Sequence, residues 1–214
     1  MNIVIVKYNA GNIQSVLYAL ERIGLNAVVT DNHAAIQSAD KVIFPGVGEA
    51  STAMQYLKER NLDKLLISLT QPVLGICLGM QLMCSYSEEN NTACLNIFRE
   101  PVKKFDPSIN NLPETMVTTG QPAVEPGLNL KVPQIGWNNI YDLKTDLFKD
   151  VRENSYVYLV HSYYAALGEH TIATTNYVQS YSTGLHTKNF YGVQFHPEKS
   201  ADTGEQILKN FLSL

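Results

Sequence analysis

Residues 75–79 read Gly-Ile-Cys-Leu-Gly and follow the apolar run 72–74 directly. This spacing is typical of a nucleophile elbow, in which a strand turns sharply into a helix and flanking glycines make room for the turn. Such a turn exposes Cys77 at the carboxyl end of a sheet. It also puts the thiol at a helix N-terminus, whose partial positive charge favours the thiolate. The pattern therefore predicts a cysteine nucleophile.

A base and its orienting acceptor follow another apolar stretch, residues 192–195, as His196-Pro197-Glu198. A thiol nucleophile needs such a pair. Two-residue spacing in an extended chain puts both side chains on one side, and Pro197 restricts His196 to extended conformations. We therefore predict a triad of Cys77, His196 and Glu198.

Acyl transfer also needs hydrogen-bond donors aimed at the developing oxyanion. Residues 45–48, Pro-Gly-Val-Gly, follow the apolar residues 42–44, and their glycines let backbone N–H groups approach a substrate. We expect the N–H groups of Gly48 and Leu78 to form the oxyanion hole.

Each motif alone has a plainer interpretation. A cysteine after an apolar run is usually a small core residue, His-Pro-Glu can be a turn, and Pro-Gly-Val-Gly can be a loop. Their coincidence at strand ends of one pattern favours catalysis. We expect Cys84 to be a packing residue and see no partner for Cys94. Three other histidines are expected on the surface, namely His33, His170 and His186.

The elements that must position these motifs alternate between strand and helix in the first third of the chain. Apolar runs predict strands at 2–6, 27–29, 42–44 and 72–76, with helical periodicity between them. A helix over 13–23 has Asn12 as its candidate cap and Gly24 at its C-terminal end.

The later chain is harder to interpret. Residues 90–133 fit short strands, hairpins or a long loop equally well, whereas 156–161, 171–175 and 191–195 predict strands and 207–212 a closing helix. The expected class is α/β: a doubly wound, mostly parallel, flavodoxin-like sheet with helices on both faces and extra antiparallel strands in the C-terminal half. We expect one domain over 1–214.

Composition excludes several function classes. The 214 residues carry a formal net charge of −4, so no basic face indicates nucleic acid. No run of about 18 apolar residues suggests a membrane span, and residues 1–7 read as a strand rather than a signal peptide. Three cysteines, an odd number, favour reduced thiols and a cytoplasmic location. No Cys/His spacing matches a zinc site, and no cofactor is expected.

The elbow, with Met80-Gln81, and residues 192–198 together resemble the class I (triad) glutamine amidotransferases. Within them, the chain is most similar to glutaminase subunits of imidazole glycerol phosphate synthase. That narrower likeness is carried by 8–12, 45–48, 133–138, 161–164 and 196–200, which span nearly the whole chain.

The resemblance implies that Cys77 attacks the side-chain amide of L-glutamine, with His196 moving protons and Glu198 holding the imidazole. A glutamyl thioester would form, ammonia would leave, and water would release glutamate. It also implies substrate-binding roles for four further residues: Gln81, Glu89, Ser162 and Tyr163.

The resemblance further implies a heterodimer with a (β/α)₈ cyclase subunit, which uses the ammonia in histidine biosynthesis to make imidazole glycerol phosphate and an aminoimidazole carboxamide ribotide. Residues matching interface positions are Trp137, Asn138, Tyr158 and Lys199, although Trp137 and Tyr158 could equally be core. Glutaminase subunits of anthranilate, pyridoxal phosphate or guanylate synthesis remain an alternative. Related folds with an elbow cysteine but no catalysis are another.

Three features depart from that family. Lys7-Tyr8-Asn9 replaces a common Asp-Tyr-Gly, residues 106–130 look long, and Glu49-Ala50-Ser51 stands where an aromatic side chain often follows Gly48.

Overall fold

A computed structural model describes residues 1–9, 13–108 and 130–214. The strands of these ranges are β1 Ile3–Val6, β2 Ala27–Thr30, β3 Lys41–Gly46, β4 Val73–Cys77, β5 Tyr86–Ser87, β6 Thr92–Ala93, β7 Pro101–Lys104, β8 Gln134–Ile140, β9 Ser155–His161, β10 Tyr163–Ala165, β11 Thr171–Asn176, β12 Ser180–Thr187 and β13 Phe190–Val193. The α-helices are α1 Ile13–Arg22, α2 His33–Gln37, α3 Ala50–Glu59, α4 Leu62–Ser68, α5 Leu78–Met83 and α6 Ala201–Ser213.

The central sheet has a parallel half and a mixed half. Strands β2, β1, β3, β4 and β13 lie side by side and are all parallel. Beyond β13, strands β12, β10 and β7 pair in antiparallel fashion, with β5 and β6 at the edge and β11 paired with β12. The predicted fold class, a mostly parallel sheet with added antiparallel strands, is confirmed.

Both faces of the sheet are covered by helices, which explains why the parallel strands are continuous apolar runs. In β1, Val4 and Val6 face a core that contains residues of α3, α4 and α5. Ile3 and Ile5 face the opposite core, which contains residues of α1 and α6. This alternation buries β1 on both sides and fixes its register.

Glycine ends α1 as its position in the sequence predicts. Gly24 has φ of +79°, in the left-handed region that L side chains avoid. Its N–H donates to the Glu21 carbonyl at 2.9 Å and the Leu25 N–H donates to the Leu20 carbonyl at 3.0 Å. These bonds satisfy the last carbonyls of the helix. The candidate cap Asn12 lies outside the described residues.

The segment that the sequence left open contains several short elements. Strands β6 and β7 occupy its first part, and β8 begins directly after it. Most of the long 106–130 segment lies outside the described residues. Strands β8 and β9 form a separate antiparallel ribbon in which Ile135 pairs with Val160 and Trp137 with Tyr158. Across the described ranges, every helix is too short or too polar to cross a membrane.

Candidate active site

The turn from β4 into α5 holds Cys77 in a strained conformation, with φ of 54° and ψ of −112°. A non-glycine residue rarely adopts positive φ, and such strain is typical of functional turns. The predicted elbow is confirmed in its geometry. The flanking glycines are also required by packing. A Cβ at Gly75 would lie 2.7 Å from the Met83 sulfur, and one at Gly79 would overlap the Phe44 carbonyl.

Strand β13 runs parallel to β4, with Val193 opposite Ile76, so the segment after β13 arrives beside the elbow. There the His196 Nδ1 atom lies 2.8 Å from the Glu198 Oε1 atom. Both side chains are buried. The predicted pairing is therefore present, although its reason differs from the expected one. His196 is extended, but Glu198 lies in a 3-10 turn, Pro197–Lys199, rather than in an extended chain.

The surroundings of His196 favour its protonated form. Burial acts to lower the pKa of His196, but hydrogen bonds with Cys77 and Glu198 and the charges of both groups outweigh burial and raise this pKa above its ordinary value. An imidazole that holds a proton beside the sulfur can deliver that proton to a leaving group.

The end of β3 forms a loop against the elbow. Gly46 pairs with Cys77 in register, and the Tyr8 hydroxyl donates to the Pro45 carbonyl at 2.7 Å. Burial, and secondarily the charge of Cys77, raises the pKa of Tyr8, which keeps the phenol a donor. Gly48 has φ of +107°, a backbone conformation that glycine adopts more easily than other residues.

One cavity of about 370 Å³ joins these groups. Apart from Glu198, which lies behind His196, it is lined by every residue expected to act in catalysis, oxyanion binding or substrate binding. The lining residues are Val47, Gly48, Cys77, Leu78, Gln81, Glu89, Pro133, Val160, His161, Ser162, Tyr163, His196 and Lys199. Its size suits a small-molecule ligand.

The family model for class-I glutamine amidotransferases matches residues 4–214. This chain belongs to that family. It is 51% identical, over 100% of both chains, to the imidazole glycerol phosphate synthase subunit HisH of Bacteroides fragilis. It is 42% identical to the HisH subunit of Haemophilus influenzae, over 99% of this chain and 97% of that one.

Solved structures agree on the fold. A putative GMP synthase subunit from Thermoplasma acidophilum superposes with a TM-score of 0.70 over 100% of this chain and 93% of that chain. The two sequences are only 18% identical, so this likeness concerns architecture alone.

The cavity of this amidotransferase includes a second buried histidine, which the sequence indicated only as part of a motif. The His161 Nδ1 atom lies 2.7 Å from the Tyr163 carbonyl oxygen, and its Nε2 atom lies 3.2 Å from the Tyr181 hydroxyl. Because a carbonyl only accepts, Nδ1 carries the hydrogen. Burial lowers the pKa of His161 to about 4, so this imidazole is neutral near pH 7.

Glu89 lies in the 3-10 turn Glu89–Asn91, and its side chain reaches the N-terminus of α3. Its Oε2 atom accepts the Ala50 N–H at 2.7 Å. Burial raises the pKa of Glu89. The hydrogen bond from the Ala50 N–H lowers this pKa, and the charge of Glu49 raises it. Glu49 in turn accepts from the side chains of Ser51, Thr52 and Asn90. The loop after Gly48 is thus tied to the turn that carries Glu89.

Three of the four residues predicted at the partner interface form one surface cluster. Trp137 is 53% exposed and meets Tyr158 edge-to-face, with ring centroids 5.9 Å apart. The Lys199 ammonium lies 6.0 Å from the Tyr158 ring. Asn138 instead donates to the Asn176 carbonyl at 2.9 Å, on the other side of the strand.

Three further exposed side chains that sequence reasoning missed share the face of Trp137 and Tyr158. They are Ile135, Tyr156 and Val160. We call these five residues the ribbon face. Alternation of apolar residues along both strands is the feature that could have identified it.

One histidine expected on the surface is not a surface residue. The His170 side chain is 15% exposed, and its Nδ1 atom lies 2.8 Å from Oε2 of the buried Glu100. The partner carboxylate is far away in sequence, so local neighbours did not predict this pair. His33 contacts the Arg60 carbonyl and His186 the Lys188 carbonyl. Cys84 is fully buried, which confirms its packing role.

Within the described ranges, no group of three or more histidine, cysteine, aspartate or glutamate side chains is arranged to hold a metal ion.

Proposed function

We propose that this chain hydrolyses L-glutamine to glutamate and ammonia and supplies the ammonia to a cyclase subunit of imidazole glycerol phosphate synthase. The observation that carries the proposal is the site itself. A strained elbow cysteine and a buried His196–Glu198 pair share one small cavity, in a chain 51% identical to a full-length HisH subunit.

In the first half-reaction, the Cys77 sulfur attacks the carboxamide carbon of glutamine. His196 takes the proton of the Cys77 thiol and transfers it to the departing nitrogen, so the C–N bond breaks and ammonia leaves as a glutamyl thioester forms. Glu198 keeps the imidazole oriented and stabilises its charge through the 2.8 Å contact. The N–H groups of Gly48 and Leu78 receive the oxyanion, since both residues line the cavity at Cys77.

In the second half-reaction, water attacks the thioester carbon. His196 takes a proton from this water and returns one to the sulfur as the C–S bond breaks. Glutamate is released and the free thiol is restored, so the two half-reactions sum to the hydrolysis of one amide bond.

The amino-acid end of glutamine binds on the opposite side of the cavity from His196. Glu89 supplies a carboxylate for the ammonium group. Backbone groups of Ser162 and Tyr163, which also line the cavity, hold the substrate carboxylate. This division of charge orients the side-chain amide toward Cys77.

The cyclase subunit docks on the ribbon face, beside the mouth of the cavity. Val160 belongs to both the ribbon face and the cavity lining, and Pro133 and Lys199 extend the rim. Exposed aromatic and aliphatic side chains at such density are typical of protein interfaces. We also place Asn138 near this interface, on the other side of strand β8 from Trp137. The whole chain acts as one domain, and its free thiols suit the cytoplasm.

A glutaminase assay tests the proposal. Glutamate release is measured for the chain alone, with the cognate (β/α)₈ cyclase subunit, and with that subunit plus its nucleotide ligand. We expect slow hydrolysis alone and a strong increase in the full complex. Cys77→Ala abolishes it, whereas Cys84→Ser, at a buried cysteine away from the cavity, keeps turnover in the fraction that folds. Hydrolysis retained in Cys77→Ala, or activation only by a different synthase, would overturn the proposal.

A further inference from the structure

Gln194 presents a buried amide to the nucleophile. The residue directly follows β13, and its side chain has no solvent exposure. Its Nε2 atom lies 3.7 Å from the Cys77 sulfur, within hydrogen-bond range for sulfur. A buried amide without partners would destabilise the fold, so its contacts decide its orientation.

The orientation of this amide follows from the Tyr163 carbonyl, which is contacted by Gln81, the neighbour of Gln194. Gln81 meets the Tyr163 backbone carbonyl at 2.8 Å, and a carbonyl can only accept, so the Gln81 group at that position is the NH₂. The same nitrogen lies 2.8 Å from Gln194, so Gln194 must present its oxygen there. The other end of the Gln194 amide, facing Cys77, is therefore the N–H donor.

We propose that Gln194 is a catalytic residue that donates an N–H to the Cys77 sulfur and stabilises the thiolate before it attacks. The inference rests on the proposed role of Cys77 as nucleophile. A donor opposite a charged sulfur is stronger than one opposite a neutral thiol, so the bond favours the ionised form. Among the described residues, His196 and Tyr8 interact electrostatically with Cys77. The other titratable side chains that line the same cavity are Glu89, His161, Tyr163 and Lys199. Gln194 adds a contribution that does not titrate.

The same chain of amides links the nucleophile to the substrate end of the cavity. Gln81 uses its NH₂ group on Tyr163 and Gln194, so its carbonyl oxygen is the group left for a ligand. A ligand that hydrogen-bonds to the Gln81 carbonyl oxygen and shifts this side chain would therefore also shift the Gln194 amide that faces the sulfur.

The test measures alkylation of Cys77 by iodoacetamide against pH, with the modified residue identified by mass spectrometry. Two variants are compared with the wild type. Gln194→Met removes the donor. Gln194→Glu keeps an acceptor for Gln81 but turns a carboxylate toward the sulfur. Thr183→Val, which removes a buried hydroxyl on neighbouring β12 without touching Cys77, is the matched control.

Gln194→Met should move the midpoint of the alkylation curve upward by about one pH unit, because a hydrogen bond to a charged group is lost. Gln194→Glu should move it at least as far, because its carboxylate also repels the thiolate. The catalytic constant for glutamine should fall about 10- to 100-fold. Thr183→Val should leave the alkylation curve unchanged.

A purely structural role makes a different prediction. In that case Gln194→Met would leave the alkylation curve of its folded fraction unchanged, and this result overturns the inference. Gln194→Glu places a carboxylate that repels a thiolate, so an unshifted curve in this variant shows that residue 194 does not face the sulfur and overturns the inference even if Gln194→Met does not fold. Alkylation needs no glutamine, so a shifted curve together with turnover in Cys77→Ala would refute the proposed function and not this contact.

Discussion

Gly79 lies against the backbone carbonyl of Phe44, so closely that a β-carbon at residue 79 would overlap the carbonyl oxygen. The first turn of α5 is thereby pressed onto the end of β3. This contact sets the position of the elbow relative to the loop that carries Gly48.

Gly79→Ala should therefore destabilise the chain strongly. Backbone atoms cannot move aside as a flexible side chain could, so we expect a loss of at least about 3 kcal/mol or a failure to fold. Urea unfolding followed by circular dichroism measures the change.

Gly24→Ala is the control, since a β-carbon there meets nothing within 4 Å and only the positive φ opposes it. That cost is about 1 kcal/mol. Equal stability of the two variants would contradict the close packing at Gly79.

His161 should make the fold sensitive to acid. Its pKa is about 4 in the folded chain, below about 6.5 when unfolded. The unfolded state thus binds more protons between these values, so the stabilisation is complete above about pH 6.5 and is lost as pH falls toward 4. The difference corresponds to roughly 3 kcal/mol.

His161→Asn removes the titrating group while keeping a polar side chain. Urea unfolding at pH 7 and pH 4.5 should show a smaller acid-induced loss in this variant than in the wild type. The same loss in both proteins would mean that His161 is not held neutral by burial.

Patterns within short segments predicted most of the parallel half of the fold and the triad. The elbow spacing determined the strand-to-helix turn, because few residue types tolerate that backbone. Gly24 marked the end of α1 for the same reason. The elbow and the helix end depend on neighbours in sequence, so one amino-acid sequence is enough to predict them.

Pairings between distant residues that no local motif marks were missed. His170 is paired with Glu100 across 70 residues, and Gln194 meets Cys77 across 117. The ribbon face needs the register of β8 against β9 before its five side chains can be seen to lie together. Local patterns carry no information on such pairings.

Glu49 should support substrate binding without touching the nucleophile. Its side chain accepts a hydrogen bond from Asn90, the residue next to Glu89. Glu49 also directly precedes α3, whose Ala50 N–H donates to Glu89. Glu49→Ala should raise KM for glutamine several-fold with a smaller effect on kcat, because the position of Glu89 loosens. Steady-state kinetics of the complex measure both.

Glu59→Ala, an exposed carboxylate at the other end of α3, is the matched control and should leave KM unchanged. A fall in kcat with unchanged KM in Glu49→Ala would instead indicate a role in the oxyanion loop.

The ribbon face should determine partner affinity. Ile135 is 64% exposed on it, whereas Ile67 is 50% exposed on α4, a separate element. Ile135→Ser should weaken the affinity for the cyclase by about 10-fold, as expected for an apolar interface residue, and Ile67→Ser should not. Isothermal titration calorimetry provides both affinities, and equal affinities would move the interface elsewhere.

The most direct test of the central claim is covalent labelling with a diazo-ketone analogue of glutamine, followed by peptide mass spectrometry. Cys77 should carry the adduct, glutamine should protect it, and loss of glutaminase activity should follow labelling in step. Cys84 and Cys94 should remain unmodified. Labelling confined to another residue, or full activity in a chain labelled at Cys77, would contradict the account.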